Sequence, residues 1–171
     1  MWLDIGGLVT EQAKDSGLRA ALAELLPELR AFARYLAGSR AEADDLVQEA
    51  VLRTLRGLDG REEGVDFRAW CLAVLRNTFH EQLRTRKREA ARLRDTPEPP
   101  PSAPTQEAPG TMRALGRALA TLPPLLREAV LLVGAQGLSH EEAARICNVP
   151  VGTMKARVSR ARKLLAGSFV V

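Results

Sequence analysis

Apolar residues recur every three or four positions through most of this 171-residue chain, and no stretch alternates with period two, so the pattern predicts helices and no strands. Leu18, Leu22 and Leu25 open one stripe. Pro27 is suited to begin a fresh helix in its first turn, along which Leu29, Phe32, Ala33 and Leu36 continue inward and which Gly38 closes. A second helix is expected from about Ala41 to Leu58, burying Val47, Val51, Thr54, Leu55 and Leu58. Gly57, Gly60 and Gly64 mark a loop. A third helix begins near Asp66, a good N-cap, and buries Phe67, Trp70, Cys71, Val74 and Thr78 before a basic end. Farther on, Met112, Leu115, Leu119 and Leu122 line one helix, and Pro123 and Pro124 start another that ends near Gly137.

The segment from Leu138 to Leu165, LSHEEAARICNVPVGTMKARVSRARKLL, predicts two helices around a tight turn. Ser139 and Glu142 have capping-box spacing, and Leu138 can staple onto Ala143. Asn148 suits the left-handed position that ends a helix, and Pro150 forbids its continuation. In the second helix Met154, Val158, Ala161 and Leu165 form an apolar stripe. Thr153, Ala156, Arg160 and Lys163 project roughly opposite, with Lys155, Ser159 and Arg162 on one flank and Arg157 on the other. Such parts place side chains in a DNA major groove; a solvated basic helix that packs and does nothing more is the plainer alternative.

Six prolines fall in DTPEPPPSAPTQEAPG, a segment too poor in apolar residues for a core. It is expected to act as a linker over 95–111 between two small helical modules, 1–94 and 112–171, in an all-α protein. Extended at about 3.1 Å per residue it reaches roughly 50 Å, on the order of fifteen base pairs of duplex.

Composition narrows the function. With 46% hydrophobic and 4% aromatic residues, the core must be built from leucine and alanine, which favours helices. Cys71 and Cys147 sit inside apolar helical patterns without a partner at ligand spacing, so neither a disulfide nor a metal site is expected. No signal peptide opens the chain, and no apolar run approaches the roughly 20 residues that span a bilayer, so a cytoplasmic location is expected. The net charge of +4 is unevenly spread. Arg76 to Arg94 is net +5 and Thr153 to Lys163 also net +5, which leaves −6 on the remainder. Two basic footprints on an otherwise acidic chain point to two contacts with a polyanion; neither helix has the bulky apolar face of a membrane binder.

Two constellations stand out. Asp45, Gln48, Glu49 and Leu52 form a ridge on the outer face of the second helix. It is either an acidic first turn favoured by the helix dipole or a docking surface for a basic partner helix. On the third helix Arg76, His80, Arg84, Lys87 and Arg88 can share a face beside Asn77. The tract is either a solvated face or a nucleic-acid surface, on which Asn77 and His80 reach base edges and arginines bind phosphate or unpaired bases.

With these residues in view, the chain resembles the extracytoplasmic-function group of bacterial sigma factors. The resemblance rests on AEADDLVQEAVLRTL, on DFRAWCLAVLRNTFHEQLRTRKR, on LATLPPLLREAVLLVGAQGLSHEEAARICNVPVGTMKARVSRARKLL and on the proline-rich linker, and covers nearly everything from Leu18 to Ala166. LLPELRAFARYL and FRAWCLAVLRNTFHEQLRTRKRE are similar to the alphaproteobacterial general stress response type, EcfG. Cys71 stands where the family commonly has a larger apolar residue, and the first dozen residues lie outside the resemblance. The resemblance implies that Asp45, Gln48, Glu49 and Leu52 grip the clamp helices of the largest subunit of core RNA polymerase. It implies that Asn77, His80, Arg84, Arg86, Lys87 and Arg88 hold the −10 element of promoter DNA, with a specificity loop around Arg76 to Glu81. Thr153, Lys155, Arg157, Arg160 and Lys163 of the helix-turn-helix would contact the −35 duplex. The linker, with Asp95, Glu98 and Glu107, would pass near the RNA exit path. An anti-sigma partner of the NepR type would hold the protein inactive, and no cofactor is implied.

Two other classes compete. A sigma-like decoy would bind a regulatory protein without DNA; against it, the chain has no room for the receiver domain that accompanies such decoys and keeps five cations on its last helix. An ordinary helix-turn-helix repressor leaves the ridge of the second helix unexplained. No nucleophile–base pair, phosphate loop or metal cluster supports an enzyme.

Overall fold

The computed structural model describes residues 5–60, 64–92 and 110–168, with side chains described from position 16 onward except those of 111 and 168. Most of the expected linker, the first four residues and Arg94 therefore lie outside the described residues. Seven α-helices follow one another, with a single π-helical turn between the fifth and sixth and no strand among the described residues.

The first three helices are α1 (Ile5–Leu36), α2 (Arg40–Gly57) and α3 (Phe67–Arg92). Contrary to the expectation of a break, α1 runs straight through Pro27. An interior proline removes a backbone bond and costs about 3 kcal/mol. Here its ring lies on the exposed side while Leu22, Leu29, Phe32, Ala33 and Leu36 are buried, so packing overrides the local preference. Gly38 does not close the helix in a left-handed conformation either. The corner is made by Ser39, which caps α2 by accepting from the Glu42 N–H at 3.2 Å. Asp66 caps α3 through the Ala69 N–H at 2.7 Å, as its sequence position indicates. Leu46, Val47 and Ala50 of α2 meet Leu72, Leu75 and Phe79 of α3 over the α1 stripe. Gly57, at the end of α2, lies close under Trp70: a Cβ there would stand 3.3 Å from the ring, a tight contact to which the ring would have to yield.

The second bundle comprises α4 (Gly110–Thr121), α5 (Pro124–Val130), α6 (His140–Cys147) and α7 (Val151–Ser168). α5 widens into a π turn at Leu131–Ala135, where Gln136 N–H reaches the Leu131 carbonyl at 2.9 Å. Gly137, at φ +68°, then reverses the chain. The helix-turn-helix forms as its sequence predicts. Ser139 and Glu142 exchange capping-box bonds of 3.1 and 2.8 Å. Asn148 adopts φ 51°, ψ 52°, with Val149 N–H on Ala144 O at 3.0 Å closing α6. Met154, Val158 and Ala161 of α7 are buried against α5 and α6.

The two bundles share one hydrophobic core. α3 packs on α6, and α1 on α4 and α5. Arg127 of α5 is buried in this junction, donating to Leu36 O of α1 at 3.0 Å and to Ala120 O and Leu122 O at 2.8 and 3.0 Å. Arg68 of α3 bonds Glu28 of α1 and, at 2.7 Å, the carbonyl of Gln136 beyond the π turn.

Candidate nucleic-acid interface

Met154, Val158 and Ala161 turn one face of α7 into the core, so its outer face is left mostly to polar side chains, with Leu164 exposed among them. Thr153, Lys155, Arg160 and Lys163 are all exposed there. Arg157 is the exception: its side chain is 18% exposed and its NH1 lies 3.7 Å from Oε1 of Glu128. That nitrogen is buried without a hydrogen bond. A helical flank position that points at α5 rather than at solvent accounts for the difference.

α3 carries the other basic surface. Asn77, Arg84, Arg86, Lys87 and Arg88 are exposed, and Arg86 pairs with Glu42 of α2. The base of the tract behaves differently. Arg76 donates to Glu128 through Nε and NH2, both at 3.1 Å, and also touches the Asn77 side-chain oxygen at 3.3 Å. His80, edge-on to Phe79, bonds the second Glu128 oxygen through Nε2. Arg76 and His80 therefore belong to the junction, while the residues from Arg84 onward lie in solvent.

Glu128, which local patterning does not single out, is the centre of this arrangement. It is fully buried and gathers Arg76 and His80 from α3, Arg157 from α7 and the Cys147 thiol from α6, whose sulfur is 3.7 Å away. Burial alone would raise its pKa, but the hydrogen bonds from His80 and Arg76 and their charges outweigh it and hold the carboxyl below 4.5. Burial, reinforced by the Glu128 charge, pushes the Cys147 thiol up to about 12, so it stays protonated. The signal in the sequence is a charged pair, Arg127–Glu128, inside the apolar run LLREAVLLV.

The α2 ridge is formed as expected. Asp45 and Gln48 are exposed, Glu49 is half-buried and Leu52 remains 41% exposed. Together with Arg53 and with Gln82 of α3 these residues line an open cleft of about 430 Å³. Arg53 bonds Glu49 at 2.7 Å and also Glu81, so the ridge is anchored to α3 and less acidic than its sequence implies. Hydrogen bonds to those carboxylates raise the Arg53 pKa, and it stays charged.

Family models match the two bundles separately. Residues 22–89 match the family described as Sigma-70 region 2, and residues 112–165 match Sigma-70, region 4. The chain is 42% identical over 155 residues to the ECF RNA polymerase sigma factor EcfG of Rhodopseudomonas palustris, spanning 90% of this chain and 86% of that one. The chain belongs to the extracytoplasmic-function sigma factors. As a sigma factor it binds core RNA polymerase and directs initiation at promoters. Among solved structures it is similar to the sigma factor RpoE of Bartonella quintana, crystallised with the anti-sigma factor NepR, at 38% identity and a TM-score of 0.80 over 90% of this chain and 96% of that one. It is also similar to PhyRSL from Sphingomonas sp. Fr1, solved with NepR, at 25% identity and a TM-score of 0.61 over 85% of each chain. No helix among the described residues is long and apolar enough to cross a membrane.

Proposed function

We propose that this sigma factor serves a general stress response in the cytoplasm and is held inactive by a small anti-sigma protein of the NepR type. Likeness to a sigma factor crystallised with NepR, at 38% identity, carries that reading. In the same proposal residues 1–94 form the module for polymerase and the −10 element, 112–171 the module for the −35 element, and 95–111 the tether. Asp45, Gln48, Glu49 and Leu52 grip the clamp helices of polymerase: an exposed leucine beside acids and an amide complements a basic amphipathic helix. Asn77, Arg84, Arg86, Lys87 and Arg88 hold the −10 strand, joined by His80 once it is released from Glu128. Thr153, Lys155, Arg160 and Lys163 face the −35 groove. Arg157 takes a different role, bracing α7 against α5, because its guanidinium is directed at Glu128.

Run-off transcription with purified core polymerase tests the initiation role: a promoter-dependent product is expected, and its absence rejects it. A Gln48→Ala, Leu52→Ala double variant should weaken polymerase capture without changing the unfolding midpoint; unchanged capture rejects the ridge assignment. A decoy would instead bind NepR with no transcription at all; the likeness to PhyRSL, at 25% identity, is weaker than that to the sigma factor RpoE, at 38%.

A further inference from the structure

The proposal starts from a conflict between geometry and function. Two promoter elements centred about 25 base pairs apart lie about 85 Å apart along B-DNA. In the structure α3 of the first bundle and α6 of the second are in direct contact, and one fully buried carboxylate from the second bundle binds Arg76 and His80 of the first. The docked arrangement therefore cannot occupy both elements. It also withholds His80, one of the side chains assigned to the −10 strand. Undocking by itself takes from the carboxylate the partners that its neighbour module supplies and leaves it to water or to another cation.

A replacement is already in place. Arg157 belongs to the same bundle as Glu128, its NH1 is 3.7 Å from Oε1, and that nitrogen is buried with no hydrogen bond while the bundles are docked. We propose that Glu128 is a partner-exchange latch. In the docked form it is hydrogen-bonded by Arg76 and His80, while Arg157 stands off at 3.7 Å in a looser ion pair. In the open form Arg157 closes onto the carboxylate, and Arg76 and His80 are released to single-stranded DNA. Glu128 thus competes with the promoter for the base of the α3 basic tract, and the docked protein is an off-state of its own. Arg68, through the Gln136 carbonyl, and Arg127, through the Leu36 carbonyl, are straps of the same closed form. No covalent bond moves; the exchange is of hydrogen-bond and ion-pair partners. The inference rests on the DNA role given above to α3.

The test uses the full chain carrying a dye pair at Asp59→Cys and Gly167→Cys. Both positions are exposed, whereas Cys71 and Cys147 are buried. Energy transfer reports docking, and anisotropy of a labelled short single-stranded oligonucleotide reports binding. The parent chain should show high transfer that falls as oligonucleotide is added. Glu128→Gln should lower transfer and tighten oligonucleotide binding about tenfold, the factor expected when the competent population rises from a tenth to nearly all. Arg68→Ala, which lies outside the carboxylate cluster and outside the binding surfaces, should act in the same direction and covers the case in which Glu128→Gln does not fold. Arg157→Ala should act in the opposite direction, raising transfer and resisting opening, which a merely structural role would not produce. Unchanged transfer in Glu128→Gln and Arg68→Ala overturns the latch. Lowered transfer without tighter binding also overturns it. Adding Arg84→Ala to the Arg68→Ala chain separates the two levels of argument: undiminished binding there means that α3 is not the DNA surface, and the proposal falls with that assignment.

Discussion

The two basic helices divide their cations in different ways. α7 keeps Lys155, Arg160, Arg162 and Lys163 in solvent opposite the buried stripe of Met154, Val158 and Ala161, and turns Arg157 alone toward Glu128. α3 changes character along its length: Arg68 and Arg76 are committed to the junction, and the tract reaches solvent from Arg84 onward. Both helices carry much the same charge in sequence. What differs is the environment into which each turn is delivered. An exposed guanidinium keeps its hydration and is available to phosphate, whereas a desolvated one must be matched where it lies. Composition alone therefore overstates the surface that is ready for DNA.

The largest effect should come from removing the match. Glu128→Ala leaves Arg76 and Arg157 facing each other without a counter-ion and should destabilise the protein by about 3–5 kcal/mol. Denaturant unfolding measures this; a loss below about 1 kcal/mol would mean that the inner cations do not depend on the carboxylate, and the contrast with the outer ones would disappear.

How far the chain discloses itself follows the same division. The α7 stripe, the Ser139–Glu142 box, the Asn148 cap and the α2 ridge were legible because each is a matter of spacing within one or two turns. At Pro27 and Gly38 the local preference points to a break and a cap, and the packing of Leu29, Phe32 and Leu36 decides otherwise. The junction was not legible. Arg127 meets Leu36 across 91 positions, and Arg76 meets Glu128 across 52, separations that leave no periodic trace. Arg157 was grouped with the outer cations because one flank of a helix cannot be told from the other until its neighbours are placed.

A paired comparison on α7 sharpens the point at intermediate size. Arg157→Ala should lower stability by about 1–3 kcal/mol, as expected when a buried charge loses its partner. Arg160→Ala should leave the unfolding midpoint unchanged while reducing use of the −35 element and the salt slope of duplex binding by about one. Equal behaviour of the two variants in both assays would erase the distinction between inner and outer faces. Ser139→Ala, which touches neither set, should cost about 1 kcal/mol through the lost cap.

The smallest effect is in the pH dependence, and its sign is fixed by the net balance at Glu128. Its folded pKa lies below 4.5 because hydrogen bonds and charge from His80 and Arg76 outweigh burial, with Arg157 facing from α7 and a neutral Cys147 thiol from α6. A depressed carboxyl contributes stability that is fully present above its unfolded value and is lost as pH falls through the folded one. The stability difference between the parent protein and Glu128→Gln should therefore persist from neutral pH down to about 5 and shrink only under stronger acid. Denaturant titrations of both proteins across that range measure it. A difference that already decays between pH 7 and 5 would show a raised pKa instead, and with it a carboxyl governed by desolvation rather than by the cations around it.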